Sequence, residues 1–187
     1  KQSLELGGQH LLGWLDPDRN YLPTGSWAIT HDLGRWWDAM LRLEDATGFV
    51  IPGDVEGANL RNLRWLTDNP DGLLWVPPGL DWHPIKFEFH SLREGILTFA
   101  ALVKFRGNSW ARKAGHRYLE KIWDGLAPDF SWDVDKFEYA RHFDKVEHKD
   151  VGHTPFNENR FQKTVSHGRC IEALVWYYRW TEDALAL

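Results

Sequence analysis

Three stretches of this chain are written on one pattern, and the repetition limits its possible folds more than any other feature. They read HDLGRWWDAMLRLEDATGF from His31, HSLREGILTFAALVKFRGN from His90 and SHGRCIEALVWYYRWTED from Ser166. Aligning Thr47-Gly48, Arg106-Gly107 and Thr181-Glu182 superimposes Trp37, Ile96 and Ile171, and brings Asp32, Ser91 and Ser166 together at the start. Aspartate and serine are N-cap residues, because their side-chain oxygens accept from free backbone N–H groups of the first turn. Apolar residues recur at helical spacing inside each stretch, as at Ile96, Phe99, Ala100 and Val103. The apolar arc is broad, as in a helix surrounded by neighbours.

A more amphipathic segment follows the first two stops. SWARKAGHRYLEKIWDGL (109–126) has Ser109 as cap and an apolar stripe at Ala114, Tyr118 and Ile122, with charges opposite. DVEGANLRNLRWLTDN (54–69) is similar and ends in the turn signal NPDG. The unit is thus a helical hairpin, one buried helix and one half-exposed helix, and the chain is expected to be all-α. Short-linked arrays of such units repeat every 34 to about 47 residues. Here the links before the buried helices, 69–89 and 127–165, are long and rich in Gly, Pro, Trp and His. Long ordered loops on one side of a helical scaffold usually carry function, which favours a ring with a ligand face over a protein-binding solenoid.

A length of 187 residues suits one core, so 1–187 is expected to be a single domain. The formal charge of -5 offers no basic footprint for nucleic acid, and no apolar run is long enough to span a membrane. No signal-peptide pattern opens the chain, so a soluble, cytoplasmic protein is favoured. The sequence opens on Lys1 and closes on TEDALAL, which reads as a helix just starting, so a piece of a longer domain is expected. Twelve Trp and nine His are the unusual counts. Trp in such number either fills core volume or supplies flat surfaces for a ligand, and core packing accounts for most.

The three phrases resemble the inner helices of (α/α)6-toroid carbohydrate-active enzymes, nearest the β-L-arabinofuranosidase-like glycoside hydrolases and their uncharacterised relatives. The resemblance implies an arc of about three hairpins in a ring of six, acting on a carbohydrate substrate by hydrolysis. Members of that family use a cysteine nucleophile beside a zinc held by further cysteines. Cys170 is the one cysteine here, inside a buried helix, and reads as core filler. The likeness therefore extends to the fold and not to that mechanism, and neither metal nor cofactor is expected.

In such a ring the inner helices point their N-terminal ends at a common funnel. Glycoside hydrolysis usually needs two carboxyl groups flanking the scissile bond, about 5 to 9.5 Å apart depending on stereochemistry. The candidates for chemistry are Asp32, Glu88, His90, Glu94 and His167. In KFEFHSLREG, Glu88 and His90 share a side of an extended segment, and burial beside Phe87, Phe89 and Trp82 would suit Glu88 to the acid role. Glu94 also fits S-x-x-E with Ser91, the signature of a capping box. Substrate-binding candidates are Trp27, His31, Arg35, Trp82, His83, Arg93, His153, Glu158 and Arg169. Loop tryptophans, Trp27, Trp75, Trp82 and Trp132, suit stacking against sugar faces better than helix-interior Trp176. Histidines at the funnel could serve as acids, bases, hydroxyl donors or metal ligands, although one at a helix start is more often a cap.

No P-loop, dinucleotide fingerprint, nucleophile elbow or H-E-x-x-H helix is present. Two alternatives stay open. A polysaccharide lyase would use His or Tyr as base, with Arg35, Arg93 and Arg169 neutralising a uronate. A non-catalytic helical module would instead present an exposed aromatic patch to a partner protein.

Overall fold

A computed structural model describes residues 2–24, 29–75, 91–128, 136–137 and 159–187, the side chains of 159–167 and 169 excepted. The fold is mostly helical. In chain order come α1 (Gln2–Gly13), the paired strands β1 (Leu15–Asp16) and β2 (Leu22–Pro23), then α2 (Ile29–Thr47) and α3 (Gly53–Leu66). They are followed by α4 (Leu92–Arg106), α5 (Ser109–Asp124) and α6 (Asn159–Thr181). A 3-10 turn at Ala184–Ala186 stands where TEDALAL suggests a helix start, with the Asp183 side chain accepting from Leu185 N.

The three repeated stretches are α2, α4 and α6, and they lie side by side in the same direction. At one end Thr30 Oγ1 meets Ser91 Oγ at 3.0 Å, and at the other Arg106 of α4 reaches Glu44 of α2. On the other flank of α4, Arg93 pairs with Glu172, and Phe105 sits edge-on to Trp180 of α6. α4 is therefore the middle helix, and every residue from Glu94 to Val103 is buried. Each buried Leu, Ile or Phe contributes about 1.5–3 kcal/mol relative to exposure. α5 folds back on α4 through Phe99 against Tyr118 and Trp110.

Glycines set how closely the helices approach. A Cβ on Gly34 of α2 would lie 2.2 Å from the Glu94 Cβ of α4. On Gly95 a Cβ would strike the Tyr118 ring of α5, and on Gly115 the Tyr177 hydroxyl of α6. Tyr118 and Tyr177, both fully buried, lock α4, α5 and α6 together.

All three repeated helices, α2, α4 and α6, stop where the sequence says, and by the same chemistry. Gly48, Gly107 and Glu182 hold φ of 75°, 57° and 58°, the left-handed conformation that ends a helix. Thr47 and Thr181 both donate to the carbonyl four residues back, at 2.7 and 2.6 Å, and accept from the amide two residues on. The starts differ from expectation. Asp32 lies within the first turn of α2, which opens at Ile29, so it is no cap. Ser166 lies inside α6, which opens at Asn159, about three and a half turns before the level of Arg93 and Glu172. Ser91 does stand at the N-cap of α4, yet makes no side-chain cap bond, because its hydroxyl is engaged with Thr30. For α5 the cap is Asn108, accepting from Ala111 N, rather than Ser109.

Ile171 also departs from its alignment partners. Trp37 and Ile96 are buried, whereas Ile171 is 63% exposed and Val175, one turn on, is 58% exposed. α6 turns Ala173 and Tyr177 inward, and the opposite face of the helix carries its apolar residues outward. Residues 2–24, which the repeats leave unread, form α1 and a small turn. Pro17 opens the turn, Asp16 accepts from Asp18 N, and Asn20 and Tyr21 adopt positive φ.

Candidate site at the start of the repeated helices

Five of the candidate residues lie among the described side chains: His31, Asp32 and Arg35 on α2, and Arg93 and Glu94 on α4. Gly34 backs directly onto Glu94, so the early turns of α2 and α4 are in close contact there. Glu94 is the centre. Its side chain is 1% exposed, and Oε1 accepts from Arg93 Nη1 at 2.8 Å and, more loosely, from Arg35 Nε at 3.4 Å. Oε2 is buried and finds no hydrogen-bond partner among the described residues. Arg93 extends the chain by donating to Glu172 Oε2 at 2.8 Å, which carries the network to the surface on α6.

Arg35 Nη2 stands 2.7 Å from His31 Nε2. A guanidinium can only donate, so Nε2 is the acceptor and the ring is the neutral Nδ1–H tautomer. His31 is thus oriented by the same arginine that touches Glu94. Thr98 secures the turn by donating to the Glu94 carbonyl at 2.8 Å.

The electrostatics follow from burial. Desolvation pushes the Glu94 carboxyl above the usual glutamate range, and the nearby Arg93 and Arg35 pull it back only in part. The Asp32 carboxyl is likewise raised by burial and partly restored by Arg35. Two carboxyl groups that keep a proton more readily than usual therefore share the field of one arginine. Both lie in the first turns of helices, where backbone N–H groups favour negative charge. Such groups can hold and deliver a proton, and the half-exposed Arg35 can receive an anionic or hydroxyl-rich ligand.

The capping-box reading of Glu94 is overturned. Its carboxylate goes to Arg93 and Arg35, and Ser91 goes to Thr30. Trp75, expected as a stacking surface, is 1% exposed and belongs to the core. Cys170 is core filler as read, with burial pushing its thiol up to about 12, far from nucleophilic thiolate. Sequence reasoning missed Glu172 and Thr30, whose partners are distant along the chain. The readable signal was Gly34, a glycine inside a strong helical pattern.

Glu88, His90, Trp27, Trp82, His83, His153, Glu158 and Trp132 lie outside the described residues, as do the side chains of His167 and Arg169. Among the described residues no group of three His, Cys, Asp or Glu side chains could hold a metal ion, and no helix is long and apolar enough to cross a membrane.

No protein family, no curated protein and no solved structure matches the chain.

Proposed function

We propose that the chain acts on carbohydrate by hydrolysis of glycosidic bonds, in a pocket at the N-terminal ends of α2 and α4. Glu94 and Asp32 serve as the carboxyl pair, Glu94 as acid. Arg35, Arg93 and His31 hold sugar hydroxyls and set the charge, and the row α2–α4–α6 is an arc of an α/α ring. One observation carries the reading. A carboxyl group in the first turn of α4 is almost wholly buried and raised in pKa, with one oxygen unmatched among the described residues. Buried polar groups are nearly always satisfied, so such an oxygen suits a proton or a substrate. The preceding residues Glu88 and His90, with His167 and Arg169 on the neighbouring stretch, complete the proposed pocket by sequence.

The test is turnover across a panel of neutral and acidic glycans by wild type, Glu94→Gln and Asp32→Asn. Loss of general acid catalysis lowers kcat by about 10²–10⁴-fold with little change in folding. Full activity of Glu94→Gln on a glycan that wild type cleaves removes Glu94 from the mechanism, and an inert wild type overturns the reading.

A lyase reading has its own support, because two arginines converge on the same carboxyl and Arg35 is 51% exposed. A uronate substrate would be neutralised there. Products absorbing in the near ultraviolet from acidic glycans alone would favour elimination over hydrolysis.

A further inference from the structure

At the opposite end of the helical row, α5 and the chain that follows α6 line an open groove of about 640 Å³. Its walls are Trp110, Arg112, Lys113, His116 and Arg117 of α5, with Thr181 and Asp183 closing the far side. The volume is that of an ordinary small-ligand site. The charge is unusual, since this chain carries a formal net charge of -5 and yet lines the groove with four basic side chains and one carboxylate, Asp183, with Glu120 3.6 Å from His116 beside it.

Two of the four are pinned in place. Arg112 Nη1 donates to the Thr181 carbonyl at 2.9 Å. His116 Nδ1 lies 2.7 Å from Asp183 Oδ2, while Asp183 Oδ1 accepts from Leu185 N at 3.1 Å. Both oxygens of the one acidic wall residue are therefore engaged. Lys113 and Arg117 are left without an ion-pair partner among the described residues, and both are exposed. They stand four residues apart, on one face of α5. Like charges at that spacing destabilise a helix, so nothing in the folding of α5 calls for the pair.

We propose that this groove is a binding site for a short acidic saccharide, whose carboxylate or sulfate groups are taken by Lys113 and Arg117. Consecutive turns of a helix are about 5.4 Å apart, close to the length of one sugar residue in an extended chain, so the two cations match charges on adjacent residues. Trp110 supplies an apolar wall beside them, with its ring held by Phe99 and by Arg64. The two free cations are too few for a nucleic-acid backbone, whose binders commonly neutralise 6–10 phosphates (about one cation each). The site is independent of the chemistry proposed at Glu94, which lies at the other end of α4. It would hold an acidic chain on the molecule without cutting it.

The experiment is a calorimetric titration of the full chain with trigalacturonate, a chondroitin sulfate tetrasaccharide and neutral cellotriose, and with a single-stranded oligonucleotide as competitor class. The expected result is a binding component for one or both acidic saccharides that depends on Lys113 and Arg117, that cellotriose does not show, and that weakens markedly as salt rises. The trigalacturonate and chondroitin sulfate arms separate carboxylate from sulfate recognition. Lys113→Glu/Arg117→Glu, which changes only exposed side chains, is expected to lower the affinity of that component at least tenfold while turnover at the Glu94 site stays as in wild type. Absence of acidic-saccharide binding, a component shared equally by cellotriose and lost in the double variant, tighter binding of the oligonucleotide, or an unaffected double variant each overturns the proposal.

Discussion

α2 and α4 are joined at both ends by arginine and glutamate, and the two junctions behave as opposites. At the C-terminal end Arg106 bridges Glu44 and Glu56, with Nε to Glu56 Oε1 at 2.6 Å, and all three side chains are about a quarter exposed. Every charge there has a partner and water nearby. At the N-terminal end Glu94 is sealed from water, shares one oxygen between two arginines, and leaves the other unmatched among the described residues. The first junction is a latch whose loss is cheap, because water replaces the partner. The second carries a desolvation cost that its arginines do not fully return. Cost of that kind at one end, with an inexpensive alternative at the other, sets Glu94 apart from Glu44 and Glu56 and underlies the proposed chemistry there.

The largest expected effect comes from forcing the costly end apart. A Cβ on Gly34 would lie 2.2 Å from Glu94 Cβ and 2.7 Å from its Cα and carbonyl oxygen, so backbone has to move. Gly34→Ala should destabilise the fold by about 2 kcal/mol, the overpacking cost exceeding the helix-propensity gain of alanine. Gly48→Ala at the other end meets no atom and incurs only the left-handed φ, about 1 kcal/mol. Urea denaturation of both variants measures the ranking. A Gly34→Ala protein as stable as wild type would mean that α2 and α4 do not touch at Gly34 and Glu94.

A smaller effect, readable by its sign, separates burial from pairing at Glu94. A carboxyl group whose folded pKa is raised contributes stability that is present below its unfolded pKa and is lost as pH rises through the folded value. Burial raises Glu94 in this way. Wild type should therefore lose stability relative to Glu94→Gln as pH climbs from the ordinary glutamate value, about 4.3, through the raised one. The variant keeps the shape and an acceptor without the charge. The comparison is between the two proteins at each pH, since Asp54, held low by the Tyr21 hydroxyl, pushes both in the other direction. A wild type whose stability relative to Glu94→Gln stays flat or rises over that range would show that pairing with the arginines, and not burial, governs Glu94.

The two ends also differ in how much of them could be read from the sequence. The stops of α2, α4 and α6 were legible because helix termination is local, being decided by Gly48, Gly107, Thr47 and Thr181 within a few residues. The starts were not. Asp32 and Ser166 have the side chains of caps, yet sit inside helices, and Ser91 gives its hydroxyl to a residue on another helix. A cap-forming residue announces a start only if no tertiary partner claims its oxygen. Glu94 misled for the same reason: S-x-x-E describes a local bond, and Arg35 lies on a different helix. Trp75 shows the limit of composition, since a tryptophan in a Gly- and Pro-rich link proved to be core. Burial is a property of the whole fold and cannot be read from neighbours in sequence.

The smallest effect belongs to the latch. Arg106 also caps the run of charges in the last turn of α4, where a cation complements the helix end. Arg106→Met removes both salt bridges while keeping most of the aliphatic stem, so the loss isolates the charges. Bonds to half-solvated carboxylates predict about 1 kcal/mol, diminishing in high salt. Glu44 and Glu56 are left facing water rather than buried, and no new desolvation cost appears. The measurement is thermal or urea unfolding at low and high ionic strength, with glycan turnover alongside. Unchanged turnover with a salt-dependent loss of stability keeps the two junctions distinct. Turnover that falls with Arg106→Met would show that the ends are coupled through the rigid middle helix, and the division between latch and site would have to be abandoned.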